Sequence, residues 1–596
     1  MGKPAFDAYF CVMLYPKIAL ARWAVAYCKA FGIQRIVLSP GSRNAPLLLG
    51  FSQDPFFTCV QVVDERSAGF IALGMAQVSQ QPAALVCTSG SALANYYPAV
   101  LEAHYSNIPL LVLSADRPPY MWERADGQTI VQDHFFGPHI RFSATLPMDD
   151  DALPKWYREK INQSIDQNST QTLEAQQKVF EQAFAVLFQS GGPVHLNLPF
   201  EEPLYATQTT TEPLILSSSA ACKSIVLADH WDQFQSVWQQ SARVMVLVGV
   251  DLQGATHQTA VDWLVEQPHV LVFNENTSNI HHPQVIASID QFIGPIEISD
   301  QSAALMTDLQ PDLLITWGGP VVSKKIKQFL RTHAPKHHWH LGETPAFDTY
   351  FCGVQTLPIP VEDLVDRWIK IAHQPTSSYG AIWQERYTGM TRVAIDYRAQ
   401  MPFSDFWVYH QLMQSLDQPY TLQWANSSVI RYAQLIQQPK HITAYCNRGT
   451  SGIEGSSSTA VGAALVSENP TILVTGDLSF FYDSNAWWND VLRPDFRILL
   501  VNNGGGGIFR ILPQAIDMPG FTQHVETAHQ RSADTLCAAY HIGYLSARDA
   551  MEFSRAVQQW LGPSTRPQLL EVFTDPKTND QTLKDYFTTL AKFIGL

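Results

Sequence analysis

The sequence predicts three consecutive open α/β domains, each on a parallel sheet covered by helices, with the first and third related. Three observations carry that expectation. Short apolar, β-branched runs alternate with helical segments through most of the chain, which is the rhythm of parallel strands joined by helical crossovers. The length, 596 residues with 46% hydrophobic side chains, suits several buried cores rather than one. Two Ser-, Thr- and Pro-bearing stretches, about 203–220 and 374–379, divide the runs into sets, giving expected domains over 1–205, 206–380 and 381–596.

In the first set the strands are RIVLS (35–39), TCVQVVD (58–64), AALVCTS (83–89), PLLVLSA (109–115) and PVHLNLP (193–199). The second has VMVLVGV (244–250), HVLVFNE (269–275) and DLLITWGG (312–319). The third has TLQWANS (421–427), ITAYCN (442–447), TILVTGD (471–477), RILLVNN (497–503) and QLLEVFT (568–574). The first and third sets share a strand-helix rhythm.

Composition excludes several classes of function. The net charge of -15, with 39 basic against 54 acidic residues and no basic run, speaks against a nucleic-acid partner. No stretch of about 18 apolar residues predicts a membrane span, and the short apolar patch near Cys11 lacks a cleavage pattern, so the expected location is cytoplasmic. The eight cysteines are scattered singly, which reads as small buried hydrophobes in a reducing compartment rather than a disulfide framework. His337, His338 and His340 have a metal-like look, but no Cys-x-x-Cys lies nearby and a surface turn is the expected setting.

The chemistry is concentrated at strand ends, where ligands of open α/β sheets gather. Asp477 ends one predicted strand of the third set and Asn502-Asn503 end the next, with a crossover between that makes the two strands parallel neighbours. The Asp477 carboxylate, the Asn503 amide oxygen and a carbonyl from Gly504–Gly507 can then converge on a hard cation such as Mg2+, with Mn2+ as a substitute. Alone, the glycine run would be a flexible turn, and no Gly-Lys-Ser/Thr follows it to make a P-loop. Glu65, in VVDERSAGFIALGMAQ, stands where a strand of the first set gives way to a helix rich in Ala and Gly. Alone, it would be a solvated acid favoured by a helix N-terminus.

Gly476-Asp477 followed by Asn502-Asn503 resembles the Gly-Asp-Gly … Asn-Asn motif of the thiamine-diphosphate-dependent enzyme family, with Leu478 in place of the second glycine. The resemblance implies domains of the thiamine-diphosphate-binding type. It also makes Glu65 the catalytic glutamate, whose carboxylate favours the cofactor tautomer that removes the thiazolium proton. Asn426, Ile453, Gly476, Asp477, Leu478, Ser479, Asn503 and Gly505 are then the cofactor contacts, and Asp477, Asn503 and Gly505 those of the metal. Ile453 matches the residue that wedges beneath the cofactor, although a plain core isoleucine would read the same way. In such enzymes the helix carrying the glutamate packs across a subunit interface, so a homodimer or homotetramer with its sites between subunits is implied.

Further stretches narrow the resemblance to the branch that joins 2-oxoglutarate to isochorismate in menaquinone biosynthesis: SPGSRNAPL (39–47), DERSAGFIALG (64–74), LSADRPP (113–119), NSSVIR (426–431), NRGTSGIEG (447–455) and NNGGGGIF (502–509). Decarboxylation of 2-oxoglutarate and conjugate addition of the resulting carbanion to isochorismate is the implied reaction. The substrates carry several carboxylates, so local arginines must overcome the negative field of the protein. By this resemblance Ser42, Arg43, Arg117, Gln128, Ser427, Arg431, Arg448, Ile508, Phe509 and Leu512 bind substrate, though any one arginine alone would read as a surface ion pair. Gly127 stands where the family has Asn. Lys324 and Lys325 match a basic pair of the middle domain or, equally, a solvated helix start.

Two rival readings remain open at this point. An acetolactate-synthase-like carboligase or 2-oxoacid decarboxylase would share the cofactor, and a non-catalytic protein would keep only the fold.

Overall fold

The computed structural model describes residues 14–149, 154–160, 169–209, 231–254, 256–342, 346–363, 377–511 and 515–594. The chain divides into two compact units, Met1–Cys222 and Lys223–Leu596.

The first unit holds a six-stranded, wholly parallel sheet of β1 (Arg35–Leu38), β2 (Thr58–Gln61), β3 (Ala83–Cys87), β4 (Leu110–Asp116), β5 (Phe142–Thr145) and β6 (Val194–Pro199), in the order β2-β1-β3-β4-β6-β5. Every residue of β3, β4 and β6 is buried, because helices cover both faces and a central parallel strand has no solvent side. Ile36, Leu38, Val86, Leu111 and Leu196 pack with Phe180 and Phe184 of the helix Ser169–Ser190, each such side chain contributing about 1.5–3 kcal/mol by leaving water.

The second unit carries two more parallel sheets. The five-stranded one contains β7 (Val244–Val248), β8 (Val270–Phe273), β9 (Leu313–Trp317), β10 (His337–Leu341) and β11 (Gln355–Leu357), ordered β8-β7-β9-β10-β11. The six-stranded one contains β12 (Tyr420–Trp424), β13 (Ile442–Cys446), β14 (Thr471–Gly476), β15 (Arg497–Asn502), β16 (Gly543–Ala547) and β17 (Gln568–Phe573), ordered β13-β12-β14-β15-β17-β16. Numbered from the first strand of each sheet, the six-stranded sheets have the same order, 2-1-3-4-6-5. The relation expected between the first and third sets is thus a shared topology.

Several expectations need correction. β5, β10, β11 and β16 were absent from the expected strands; β5, β11 and β16 are short or polar edge elements and β10 is a polar inner strand, and the alternation of all four is too weak to stand out from loop sequence. His337, His338 and His340 lie in β10 rather than a surface turn, because pairing with β9 and β11 supplies the order that the polar sequence lacks. Near the expected boundary at 205, Thr207–Gln208 pairs with Tyr15–Pro16. The helix Tyr379–Gln400 runs across the expected boundary at 380/381, and Ala381 N donates to Pro268 O at 3.2 Å. Cys59 and Cys352 are half-buried rather than core residues, and all described cysteines are free. Cys11, Cys222 and most of the 203–220 linker lie outside the described residues. Among the described residues no helix is long and apolar enough to cross a membrane.

Candidate active site

In the last sheet β14 and β15 are parallel neighbours with Gly476 opposite Val501, so the chain leaves both strands at adjacent positions. Asp477 opens the helix Asp477–Tyr482 and is 2% exposed. Its Oδ1 accepts from Leu478 N at 2.6 Å and its Oδ2 from Gly505 N at 2.9 Å, which draws the glycine run onto the carboxylate. His529 Nε2 stands 3.3 Å from the same Oδ2. Gly505 has φ +153, and a Cβ there would come within 2.7 Å of Glu526 O. Only glycine fits that approach.

The two asparagines divide the labour. Asn502 ties down the loop, donating to Glu571 Oε1 at 2.7 Å and Arg531 O at 2.8 Å while its Oδ1 accepts from Gly504 N at 3.1 Å. Asn503 donates its amide nitrogen to Asp405 Oδ2 at 2.9 Å, which leaves Oδ1 as its free acceptor. Asp405 is buried and raised to about 6 by that burial, with Thr574 Oγ1 donating to its Oδ1 at 2.5 Å. A buried carboxylate, a committed amide whose oxygen is free and a backbone that tolerates no Cβ are the oxygen donors that Mg2+ takes, so the residues present fit a cation with a diphosphate.

Beside this corner, Asn426 braces the loop after β13. Its Nδ2 donates to Asn447 O at 2.8 Å and Gly452 O at 2.7 Å, and its Oδ1 accepts from Arg448 Nη1 at 2.6 Å. Ser479 Oγ donates to Ile453 O at 3.0 Å, so the Ile453 loop is fixed against the helix that Asp477 begins. Ile453, Leu478, Ile508 and Phe509 are half-buried; Ser427 has φ +69, a left-handed conformation at the turn into the helix Ser428–Ala433. Leu512 lies outside the described residues.

Arg431 and Arg448 belong to a partly desolvated cluster that sequence reasoning saw only in part. Burial lowers Arg431, with Asp290 and Glu275 opposing and Arg448 adding to the shift. Lys327 is lowered by burial beside Glu275, Arg448 and Arg431. Glu275, fully buried, is raised to about 7 by desolvation although Val322 N and Ser323 N donate to it at 2.7–2.9 Å. The lysine of this helix that joins the cluster is therefore Lys327. Lys325 is paired to Glu297 and lies over the Phe587 ring, and Lys324 is exposed. Phase does not separate Lys324 from Lys327, which share a face; Lys324 opens the helix Lys324–Thr332 and is exposed, whereas Lys327, one turn further in, is half-buried.

In the first unit, the helix Glu65–Ser79 begins directly after Asp64, whose side chain accepts from Arg66 N at 2.8 Å and Ser67 N at 3.3 Å. Asp64 is the cap, so the carboxylate of Glu65 is not needed there. Its contact is a long one, from Asn95 Nδ2 at 3.5 Å, and it lies close enough to the ends of β3 to raise Cys87 and Tyr96 beyond what burial does. Ser67 through Gln77 are buried within the chain, and a Cβ on Gly69 would come within 2.8 Å of Ala99. Gly69 thus makes a close contact inside the chain, with the helix Tyr97–Ser106. The close contact needs small residues whichever chain supplies the second helix.

Arg43 and Arg117 stand at the ends of β1 and β4. Arg43 is 7% exposed, donates Nη1 to Phe200 O at 3.0 Å, and has a buried Nε with no hydrogen-bond partner. Burial and Arg117 both lower it, against weak opposition from Glu202, 3.7 Å away. Arg117 pairs with Asp126 at 3.1 Å and donates to the Gly127 carbonyl. A Cβ at Gly127 would meet nothing within 4 Å, so the departure from Asn is not enforced by space. Ser42 and Gln128 are exposed, Gln128 with φ +55. Beneath the arginines lies a buried polar network that the sequence did not announce. Asp116, raised to about 6 by burial, accepts from Asn197 Nδ2 at 2.8 Å; Gln132 bridges Asn197 Oδ1 at 2.8 Å and Gly90 N at 2.8 Å.

Fold and strand-end residues together define a thiamine-diphosphate-dependent enzyme. Residues 18–136 match the thiamine pyrophosphate enzyme, N-terminal TPP binding domain. Relatives named 2-succinyl-5-enolpyruvyl-6-hydroxy-3-cyclohexene-1-carboxylate synthase include those of Flavobacterium johnsoniae, 42% identical with 97% of this chain and 100% of the relative covered, and Christiangramia forsetii, 42% identical with 96% and 99% covered. The chain belongs to the 2-succinyl-5-enolpyruvyl-6-hydroxy-3-cyclohexene-1-carboxylate synthase family. Among solved structures, benzoylformate decarboxylase from Polynucleobacter necessarius aligns with a TM-score of 0.66 at 16% identity, covering 94% of this chain and 98% of that one, a likeness of fold.

Proposed function

We propose that this chain decarboxylates 2-oxoglutarate and adds the resulting succinyl-semialdehyde carbanion to isochorismate, forming 2-succinyl-5-enolpyruvyl-6-hydroxy-3-cyclohexene-1-carboxylate. The observation that carries the reading is the convergence of Asp477, Gly505 and the amide-committed Asn503 at the ends of β14 and β15, on a chain 42% identical to synthases of that name. Thiamine diphosphate, when bound, supplies the carbanion stabilisation that the decarboxylation needs. Asp477, the free Oδ1 of Asn503 and the backbone at Gly505 would hold Mg2+, or Mn2+ in its place, against the diphosphate. Ile453, Gly476, Leu478 and Ser479 would line the cofactor, with Asn426 holding the Ile453 loop.

Glu65 would exchange a proton with the cofactor's pyrimidine ring, a task for which its carboxylate is spared from capping. Arg43 and Arg117, with Ser42 and Gln128, would take isochorismate carboxylates. Two guanidinium groups close together, each with a buried Nε that makes no hydrogen bond, favour an anion between them although Asp126 already faces Arg117. Arg431 and Arg448 would serve the other carboxylates beside Ser427, Ile508, Phe509 and Leu512, with Lys327 adding positive charge. Division of the chain into pyrimidine-binding, central and diphosphate-binding domains is part of this reading. So is a homo-oligomer, dimer or tetramer, completing the site between subunits, in a cytoplasmic setting.

Incubation with 2-oxoglutarate, isochorismate, thiamine diphosphate and Mg2+, followed by mass analysis, tests the proposal. The expected product has the mass of isochorismate plus 2-oxoglutarate less CO2. Release of free succinic semialdehyde with isochorismate unconsumed would make the chain a simple decarboxylase.

A further inference from the structure

We propose that His338, Asp348 and Cys352 form a binding site for a zinc-type divalent cation in the middle sheet, built from residues that the thiamine chemistry does not use. The imidazole of His338, the carboxylate of Asp348 and the thiol of Cys352 each bring one ligand atom, and these atoms all lie within 4.8 Å of one another. His338 Nδ1 and Cys352 Sγ are 3.7 Å apart. Tetrahedral zinc, with Zn–S near 2.3 Å and Zn–N near 2.0–2.1 Å, requires a separation of about 3.6 Å. The pair therefore needs almost no movement to share one ion.

The hydrogen bonds around the trio aim the ligand atoms. Thr316 Oγ1 contacts Trp339 O at 3.3 Å, His338 Nε2 at 3.0 Å and His340 Nδ1 at 3.0 Å. The hydroxyl has one proton to give, and the arrangement that satisfies all three contacts sends it to Trp339 O, with both imidazoles donating to the threonine oxygen. His338 is thereby the tautomer with its proton on Nε2, and its Nδ1 lone pair points toward Cys352. Orientation of a ligating histidine through its other nitrogen is what metal sites require.

The other two ligands sit on a turn that is already fixed. Asp348 Oδ1 accepts from Cys352 N at 3.2 Å and its Oδ2 from Gly353 N at 3.1 Å, leaving a lone pair on each oxygen. Tyr350 is buried against His338, and Arg331 holds the turn from outside by donating to Thr349 O at 3.0 Å and lying over the Phe351 ring. Phe351 and Gly353 take left-handed conformations, with φ +57 and +73, to bring Cys352 back toward β10. One thiolate, one imidazole and one carboxylate, with a fourth position open to water, select zinc over magnesium. On binding, the Sγ–H proton leaves to solvent as the Sγ–metal bond forms, without change of oxidation state.

Co2+ is the probe, added to the full-length enzyme already saturated with Mg2+ and thiamine diphosphate. The expected result is a thiolate-to-cobalt charge-transfer band saturating at one ion per chain, removed by one equivalent of Zn2+, absent in Cys352→Ser and retained in Cys59→Ser. Thr316→Val keeps the shape of the strand while removing the hydroxyl that sets the tautomer, and should weaken the metal affinity by about ten- to hundredfold. Absence of the band in the wild type, its survival in Cys352→Ser, its loss in Cys59→Ser or unchanged affinity in Thr316→Val would each overturn the site as described.

Discussion

The two six-stranded sheets have one strand order and different residues at their ends, and in the proposed function that difference separates proton transfer from phosphate binding. After the second strand, the first sheet carries Asp64-Glu65, whereas the last carries the Asn447–Glu454 loop with Arg448 and Ile453. The third strand is followed by Thr88-Ser89-Gly90 in one sheet and by Gly476-Asp477 in the other; after the fourth come Asp116-Arg117 and Asn502-Asn503. A shared frame places loops at equivalent points, and the side chains on them decide what binds there. One acid with little to bind and two desolvated arginines suit a proton relay and anionic substrates. A buried carboxylate with an amide oxygen and a glycine backbone suits a cation and its phosphates.

The severest way to break that division is Asp477→Ala. It removes the anionic donor from the last sheet, so cofactor binding should fail at any practical concentration while the sheet still folds. Wild-type affinity for Mg2+ and cofactor, measured by titration calorimetry, would contradict it. Glu65→Gln should bind cofactor normally but lose about 100-fold or more in turnover, because the amide keeps the shape and not the proton chemistry.

Arg43→Ala tests the substrate side of the first sheet. The first half-reaction with 2-oxoglutarate should be spared, and the isochorismate-dependent step should slow by about ten- to hundredfold, the equivalent of about 1.5–3 kcal/mol for a charged hydrogen bond. Rapid mixing that follows CO2 release and then isochorismate consumption separates the two. A slowed first phase with a normal second would assign Arg43 to 2-oxoglutarate.

Asp405→Asn asks whether the last sheet depends on a committed amide. An asparagine there can both donate and accept, so Asn503 loses its fixed orientation and Mg2+ affinity should fall by about tenfold. The electron paramagnetic resonance of bound Mn2+ would report both affinity and altered coordination. Unchanged values would make Asp405 a support for the fold only.

The last effect concerns pH and lies away from the reacting groups. Burial lowers His195, at the base of the first-sheet network, to about 3, with Ser114 at 2.7 Å and Ser143 at 3.2 Å on its two nitrogens. An unfolded histidine takes up its proton near 6.5, so between about 6.5 and 3 the unfolded chain binds more protons. The contribution of His195 to stability is therefore complete above that window and is lost as the pH falls through it. In His195→Gln the pH dependence of the unfolding free energy should flatten by about 1.4 kcal/mol per pH unit in that range. An unchanged slope would mean that His195 titrates normally in the folded protein.

Much of this was readable in the sequence wherever a strand is buried on both faces. The central strands β3, β4, β14 and β15 are continuous apolar runs, and the residues that end them, Asp477 and Asn503, stand out against those runs. Polar strands were illegible for the opposite reason: HHWHL and GYLSA alternate too weakly, and their order comes from neighbours far along the chain. The same long-range pairing hid the partnership of His338 with Cys352, since only the fold brings a strand histidine to a later turn. Lys327 was missed because adjacent lysines draw the eye, while its burial beside Glu275, Arg431 and Arg448 comes from segments far along the chain. The polar network of Asp116, Gln132 and Asn197 left no motif at all, being assembled from three separated segments.

The central claim, that the first sheet handles the proton and the last sheet holds the cofactor, is tested most directly by hydrogen-deuterium exchange at the thiazolium carbon in Glu65→Gln loaded with thiamine diphosphate and Mg2+. The account predicts wild-type cofactor affinity together with exchange slowed by about 100-fold or more. Exchange at the wild-type rate in the loaded variant would contradict it.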